Sequence, residues 1–64
     1  MKTLNGKIKF YDTIRREGLI EGENGNYYEF QTETSKTSFV TGLQVNFVPV
    51  VVQDTFLADN VREV

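Results

Sequence analysis

Short segments in which apolar residues recur at every second position, separated by polar turns, make up most of this chain. A period of two is typical of β-strands with one buried face. The pattern predicts five strands, at residues 4–12, 18–23, 27–31, 43–52 and 57–64. Helical apolar spacing never lasts long enough to predict a helix, although we expect a helical turn within the polar connection 32–38. One long connection, between the third and fourth strands, and three short ones favour a small closed Greek-key barrel, because closure leaves no strand edge exposed.

The 64 residues are enough for a single domain, 1–64, with a small core. The chain has no cysteine and no histidine. Disulfides, thiolate metal sites, cysteine nucleophiles and histidine bases are therefore excluded, and we expect neither an enzyme nor a cofactor. Apolar runs reach neither the length of a membrane span nor the pattern of a signal peptide, so no membrane partner and a cytoplasmic location are expected.

Charge is divided unevenly along the chain, which has a net charge of −2. Residues 1–16 contain five cations and one acid, for a net charge of +4, whereas residues 17–64 contain two cations and eight acids, for −6. The first strand and its turn are thus a basic element on an acidic domain. Such a patch can bind phosphate, with modest affinity and a steep dependence on salt.

Two local signals position the turns and edges of the predicted barrel. Asn24-Gly25 predicts a hairpin between the second and third strands, because both residues tolerate a positive φ. Pro49 lies inside the fourth predicted strand, and proline has no backbone N–H to donate to the hydrogen bonds of a β-ladder. We therefore expect the fourth strand to lie at an edge or seam of the barrel near Pro49, or to be broken there.

Residues 6–11 read Gly-Lys-Ile-Lys-Phe-Tyr, and residues 18–20 read Gly-Leu-Ile and are followed by the Asn24-Gly25 turn. These segments resemble two motifs of bacterial cold-shock domains, the opening Gly-x-Val-Lys-Trp-Phe and the Gly-Phe-Ile strand with its Asp-Gly turn. Residues 27–30 resemble Phe-Val-His-Phe, provided that the preceding turn is shortened. The later matches are residues 42–47 to Gly-x-x-Val-x-Phe and residues 58–61 to Ala-x-Asn-Val.

The resemblance spans residues 5–64 and implies a five-stranded antiparallel Greek-key OB-fold barrel that binds single-stranded RNA or DNA. The residues that match the family's binding face are Lys9, Phe10, Tyr27 and Phe30. Further positive charge on this face comes from Lys7, Arg15 and Arg16. The expected mechanism is neutralisation of phosphates combined with stacking of bases on aromatic rings.

Three residues depart from the family pattern on that face. Glu17 and Leu19 stand where the family has two stacking phenylalanines, and Glu29 stands where it has a histidine. Acids repel phosphate and leucine cannot stack, so the expected binding is weak and tolerant of sequence.

The sequence leaves open which aromatic side chains of the first and third strands face outward. Simple alternation puts Phe10 inside with Ile8, whereas a bulge after the lysine, as in the family, would turn Phe10 outward and leave Tyr11 inside. Tyr27, Tyr28 and Phe30 lie within four residues, so at least one of these rings is expected outside.

A second functional hypothesis is a protein-interaction or dimerisation module. Val45 and Phe47 take the buried parity of the fourth strand, which leaves three valines on its other face. The expected apolar patch consists of Val48, Val50 and Val52, with Phe56 and Leu57 just past the turn. Such a patch would bind a protein partner or a second copy of the chain. The alternative is that the connection carrying Phe39 and Val40 buries this face as well.

Overall fold

The computed structural model describes residues 2–34 and 38–64 and contains five strands. They are β1 (Leu4–Asp12), β2 (Glu17–Gly22), β3 (Tyr27–Gln31), β4 (Gln44–Val52) and β5 (Thr55–Glu63). All five predicted strands are present, with bounds that differ by two residues at most. The described residues contain no helix, and thus none that could span a membrane. Part of the helical turn expected in 32–38 falls on residues 35–37, which lie outside the described residues.

The strands close into a barrel in the order β1-β2-β3-β5-β4. Four of the five ladders are antiparallel. The fifth, between β3 and β5, is parallel and pairs Glu29 with Leu57, so the barrel is not antiparallel throughout. This all-β architecture is consistent with an OB-fold-like barrel, as predicted.

The core is formed by the inward-facing residue of every second position along the strands. Its fully buried side chains come from three strands: Ile8, Ile20, Val45 and Phe47. The prediction that β4 buries Val45 and Phe47 is confirmed. Tyr28 and Phe30 of β3 add two rings to this core, each less than 5% exposed. A barrel of this size therefore depends on aromatic side chains for much of its buried apolar area.

A bulge at Lys9 decides which aromatic of β1 is buried. Ile8 lies opposite Ile20, but Phe10 lies opposite the next residue, Leu19, so Lys9 is an extra residue in β1. The bulge reverses the facing of the residues after it. Phe10 is 54% exposed, whereas the core cluster includes the partly buried Tyr11.

The bulge is held on both sides of the strand. The Tyr11 ring stacks on Phe30 with centroids 5.8 Å apart, and its hydroxyl shares a hydrogen bond of 2.6 Å with the Thr32 hydroxyl. The Lys9 carbonyl accepts a hydrogen bond of 3.0 Å from the Thr41 hydroxyl. The inward position of Tyr11 is therefore fixed by packing and hydrogen bonds together.

The turns follow the predicted signals, with one difference. Gly25 has a φ of 89°, and its N–H donates a hydrogen bond of 2.9 Å to the Gly22 carbonyl. This bond closes the turn of the β2–β3 hairpin. Asn24 does not adopt a positive φ; its side chain instead accepts a hydrogen bond from the Asn26 N–H at 3.2 Å. The β4–β5 turn places both Gln53 and Asp54 at positive φ, 50° and 65°.

Pro49 lies at a seam of the barrel, as predicted. The ladder between β1 and β4 ends at Phe47, which pairs with Leu4. Beyond that point, among the described residues, β4 pairs with β5 alone, and Pro49 lies opposite Ala58. The missing N–H of proline is tolerated because no β1 residue pairs with this part of the strand.

Candidate nucleic-acid interface

A continuous row of side chains crosses the outer face of all five strands. The ladders place Phe10 opposite Leu19, Leu19 opposite Glu29, Glu29 opposite Leu57, and Leu57 opposite Val50. The first four each lie next to an inward-facing residue of the core cluster, and all five line one concavity on the outside of the barrel. We call this set (Phe10, Leu19, Glu29, Leu57 and Val50) the outer row. It is apolar except at its centre.

The outer row lines an open concavity of about 730 Å³, which we call the outer groove. Four apolar side chains supply contact area, and three carboxylates, Glu17, Glu29 and Asp59, supply the charge within the groove. A surface of this composition can hold a flat apolar group and accept hydrogen bonds from its edge. Among the described residues that line it, none offers a cation to a phosphate.

Positive charge lies beside the groove, on a second row of the same face. Tyr27 of β3 lies opposite Glu21 of β2, which lies opposite Lys7 of β1. The Tyr27 ring is 49% exposed, close to the 54% of Phe10. From strand spacing, the Cα atoms of Phe10 and Tyr27 are roughly 12 Å apart on this face. The face thus presents two rings, with lysines on the β1 side.

Two of the five cations of the basic element lie beside acids. Lys9 Nζ lies 4.0 Å from Glu21 Oε1, and Arg15 Nη1 lies 3.9 Å from Glu17 Oε1. These pairs are exposed, so they contribute little to stability, but each offsets a positive charge that a phosphate would need. Within the described residues, Lys7 has no ion pair.

Arg16 lies at the start of β2 and its side chain is directed towards the chain beyond β3. Its φ is 60°, and its Nη1 donates to the Glu33 carbonyl at 3.0 Å. Its N–H donates to the Asp12 carbonyl at 2.7 Å, which closes the β1–β2 turn. Arg16 therefore has a local structural role. Within the part of the chain that the structure describes, no other hydrogen bond of its guanidinium is seen, so its remaining donors can contact a phosphate at the rim.

Phe30 lies at the floor of the predicted binding face and is not exposed on it. It is 3% exposed, lines the outer groove and packs against Tyr11 and Phe39. Its role as a stacking surface stays a prediction, for which the buried ring offers little area. The cause is the phase of β3: Tyr27 and Glu29 point outward, so Tyr28 and Phe30 point into the core.

The predicted valine patch is also divided. Val48 and Val50 are half-buried on the outer side of β4, and Val52 is 48% exposed. Phe56 is directed the other way, because its ring stacks on the core residue Tyr28 with centroids 5.6 Å apart. Phe56, which is 38% exposed, therefore lies on the opposite side of β5 from Leu57, and its place in an interface with the valines stays a prediction.

The alternative was that the connection carrying Phe39 and Val40 buries the valine face. The positions of these two residues do not support it. Phe39 is buried, but its ring packs against Tyr11 and Phe30. Val40 is 55% exposed and buries little of any surface.

Leu57 is a groove residue that the sequence pattern did not assign to the binding face. It reaches the groove through the parallel pairing of β5 with β3, a contact between residues 28 positions apart. A local pattern contains no signal for such a contact. Only the barrel order could have suggested it.

A search with models of known protein families finds no match to this chain, and a search of curated proteins finds no significant similarity. The fold and the geometry of the outer face therefore carry the functional argument.

Proposed function

We propose that this protein binds single-stranded RNA or DNA weakly and with broad tolerance of sequence, as the cold-shock domains that it resembles do. It performs no chemistry. The observation that carries the proposal is the pair of solvent-exposed rings, Phe10 and Tyr27, on the same outer face as Lys7 and Lys9. We expect such a protein to act in the cytoplasm.

In this mechanism each ring stacks on one base, while the lysines of β1 and the arginines of the first turn neutralise phosphates. Stacking on an aromatic side chain contributes about 1–3 kcal/mol per base. Two rings therefore supply about 2–6 kcal/mol, which corresponds to dissociation constants of tens of micromolar or weaker. The ion pairs of Lys9 and Arg15 reduce the phosphate contribution further, which is why weak binding is expected.

An NMR amide titration with oligothymidine at low salt tests this proposal. We expect shifts centred on β1 and β3 around Phe10 and Tyr27, and a loss of affinity of about 5- to 100-fold for Phe10→Ala or Tyr27→Ala. Val51→Ala is the matched control, since Val51 is 60% exposed but alternates with the groove residue Val50. Unchanged binding by both ring variants, or shifts confined to another face, would contradict the proposal.

Self-association through β4 is a second candidate function. It is favoured by the valine side of the outer groove, where Val50 and Leu57 lie opposite each other and Val52 is exposed. A homodimer would elute above the 7.4 kDa of the single chain in size-exclusion chromatography and become monomeric on Val50→Lys. Val50→Thr, which keeps the side-chain shape and adds no charge, is the control. Elution as a monomer at high protein concentration would rule out self-association.

A further inference from the structure

Glu29 occupies the centre of the outer row, between two leucines. Leu19 of β2 lies opposite it on one side and Leu57 of β5 on the other. Neighbouring strands are about 4.8 Å apart, so both leucines can contact a group that lies over Glu29. Phe10 is one strand further on, beside Leu19. A flat ring placed over Leu19 would therefore be within reach of both the Phe10 ring and the Glu29 carboxylate.

Glu29 differs from the other two acids of the groove in its partners. Glu17 lies near Arg15 and accepts a hydrogen bond of 3.4 Å from Gln31 Nε2. Asp59 accepts a hydrogen bond of 3.0 Å from the Asn60 N–H. In residues 2–34 and 38–64, the side-chain carboxylate of Glu29 has neither a hydrogen bond nor an ion pair. Its carboxylate is the one left open to a ligand within this groove.

The chemistry of a carboxylate discriminates among bases. An ionised carboxylate accepts hydrogen bonds and donates none. Guanine has two adjacent donors on its Watson–Crick edge, the N1–H and the 2-amino group, which match the two oxygens of a carboxylate. Cytosine and adenine each offer one amino donor next to an acceptor. Thymine and uracil place one N–H between two carbonyl oxygens, which a carboxylate repels.

We propose that Glu29 makes the centre of the outer groove a guanine-selective subsite, in which the base lies against Leu19 and Phe10 and donates both hydrogen bonds to the carboxylate. This inference rests on the proposed function, because it requires that single-stranded nucleic acid reaches the groove. The other subsites remain tolerant of sequence, since they recognise base faces and phosphates. Single-stranded ligands suit this arrangement because their Watson–Crick edges are free.

The test compares three heptanucleotides by NMR titration at one low salt concentration. The first contains only thymine, and the second has guanine at its centre. The third has inosine at its centre, whose base is guanine without the 2-amino group. We expect the wild-type protein to bind the guanine oligonucleotide about five- to tenfold more tightly than the thymine one, with inosine between them. The largest additional shifts should fall at Leu19, Glu29 and Leu57.

Glu29→Gln separates a specific contact from a general effect of charge. Removing one negative charge should slightly raise the affinity for the thymine oligonucleotide, whereas losing the paired acceptors should reduce the guanine preference to about twofold or less. Glu63→Gln removes a charge at the far end of β5, and should leave the guanine preference unchanged.

The outcomes distinguish the two proposals. If none of the three oligonucleotides binds, the proposed function fails and this inference fails with it. If all three bind equally, or if Glu29→Gln keeps the full guanine preference, the subsite is wrong while the proposed function stands. A guanine preference that is lost in Glu29→Gln alone supports the subsite.

Discussion

Leu57 of β5 lies directly opposite Glu29 of β3 in the parallel ladder that closes the barrel. This pairing joins two surfaces that are separate in the sequence, the aromatic face of β1–β3 and the valine side of β4–β5. Together they form one outer groove with a carboxylate at its centre. The two hypotheses suggested by the sequence, a nucleic-acid face and a valine interface, therefore concern neighbouring parts of one surface.

Freeing Lys9 from its acidic partner should strengthen nucleic-acid binding. Glu21→Gln removes the carboxylate that lies 4.0 Å from Lys9 Nζ, and the lysine can then contact a phosphate. We expect the affinity for oligothymidine to rise about two- to fivefold at low salt, and the gain to shrink as salt increases. Glu63→Gln serves as the control for removal of charge elsewhere. Equal gains in both variants would show that Lys9 has no specific role.

The bulge at Lys9 predicts opposite roles for the two aromatics that follow it. Phe10→Ala should change the free energy of unfolding by less than about 1 kcal/mol, because the ring is exposed. Tyr11→Ala should cost about 3 kcal/mol, since it removes a ring packed against Phe30 and Phe39. Tyr11→Phe should cost about 1 kcal/mol through loss of the hydrogen bond to Thr32.

Urea unfolding followed by far-UV circular dichroism measures these three variants, since the chain has no tryptophan. A large loss of stability in Phe10→Ala together with a small one in Tyr11→Ala would mean that the bulge is absent and the two rings exchange places.

Gly18 is required for the close approach of β2 to the β1 backbone. A Cβ on Gly18 would clash with the Phe10 carbonyl oxygen and lie 2.9 Å from the Phe30 ring. We expect Gly18→Ala to destabilise the barrel by about 2 kcal/mol or more, measured as the shift in urea midpoint. Gly25→Ala is the comparison, because a Cβ there meets nothing within 4 Å and only its φ of 89° is unfavourable, at a cost of about 1 kcal/mol. A larger loss in Gly25→Ala would contradict this assignment.

The β4–β5 turn is built from residues that suit it poorly, and its replacement should stabilise the protein. Gln53 and Asp54 both adopt a positive φ in a two-residue hairpin loop, where Asn-Gly is the preferred pair. The double substitution Gln53→Asn, Asp54→Gly should add about 1 kcal/mol, or about 4–8 °C in melting temperature for a domain of this size. Thermal unfolding checks this, and an unchanged or lower melting temperature would mean that the turn conformation is different.

Local patterns in the chain were sufficient for its strands and for several of its turns. Alternation of apolar residues located all five strands within two residues, because the side-chain period of a strand depends only on its own backbone. The same alternation placed Val45 and Phe47 in the core, whereas it did not decide which rings of β3 are buried, and Phe30 was assigned with Tyr27 to the outer face. Pro49 indicated the seam, because its missing N–H is a property of the residue itself.

The tertiary structure alone decided which residues meet on the outer face. The bulge that turns Phe10 outward is a shift of register between β1 and β2, so it depends on the partner strand as much as on β1. Phe30 is buried against Tyr11, and the partly exposed ring of Phe56 stacks on Tyr28; both contacts join residues remote in sequence. Contacts across ladders join residues far apart in the chain, and a short-range pattern carries no information on which strands become neighbours. For that reason the position of Glu29 between Leu19 and Leu57, on which the guanine subsite rests, became apparent only in the closed barrel.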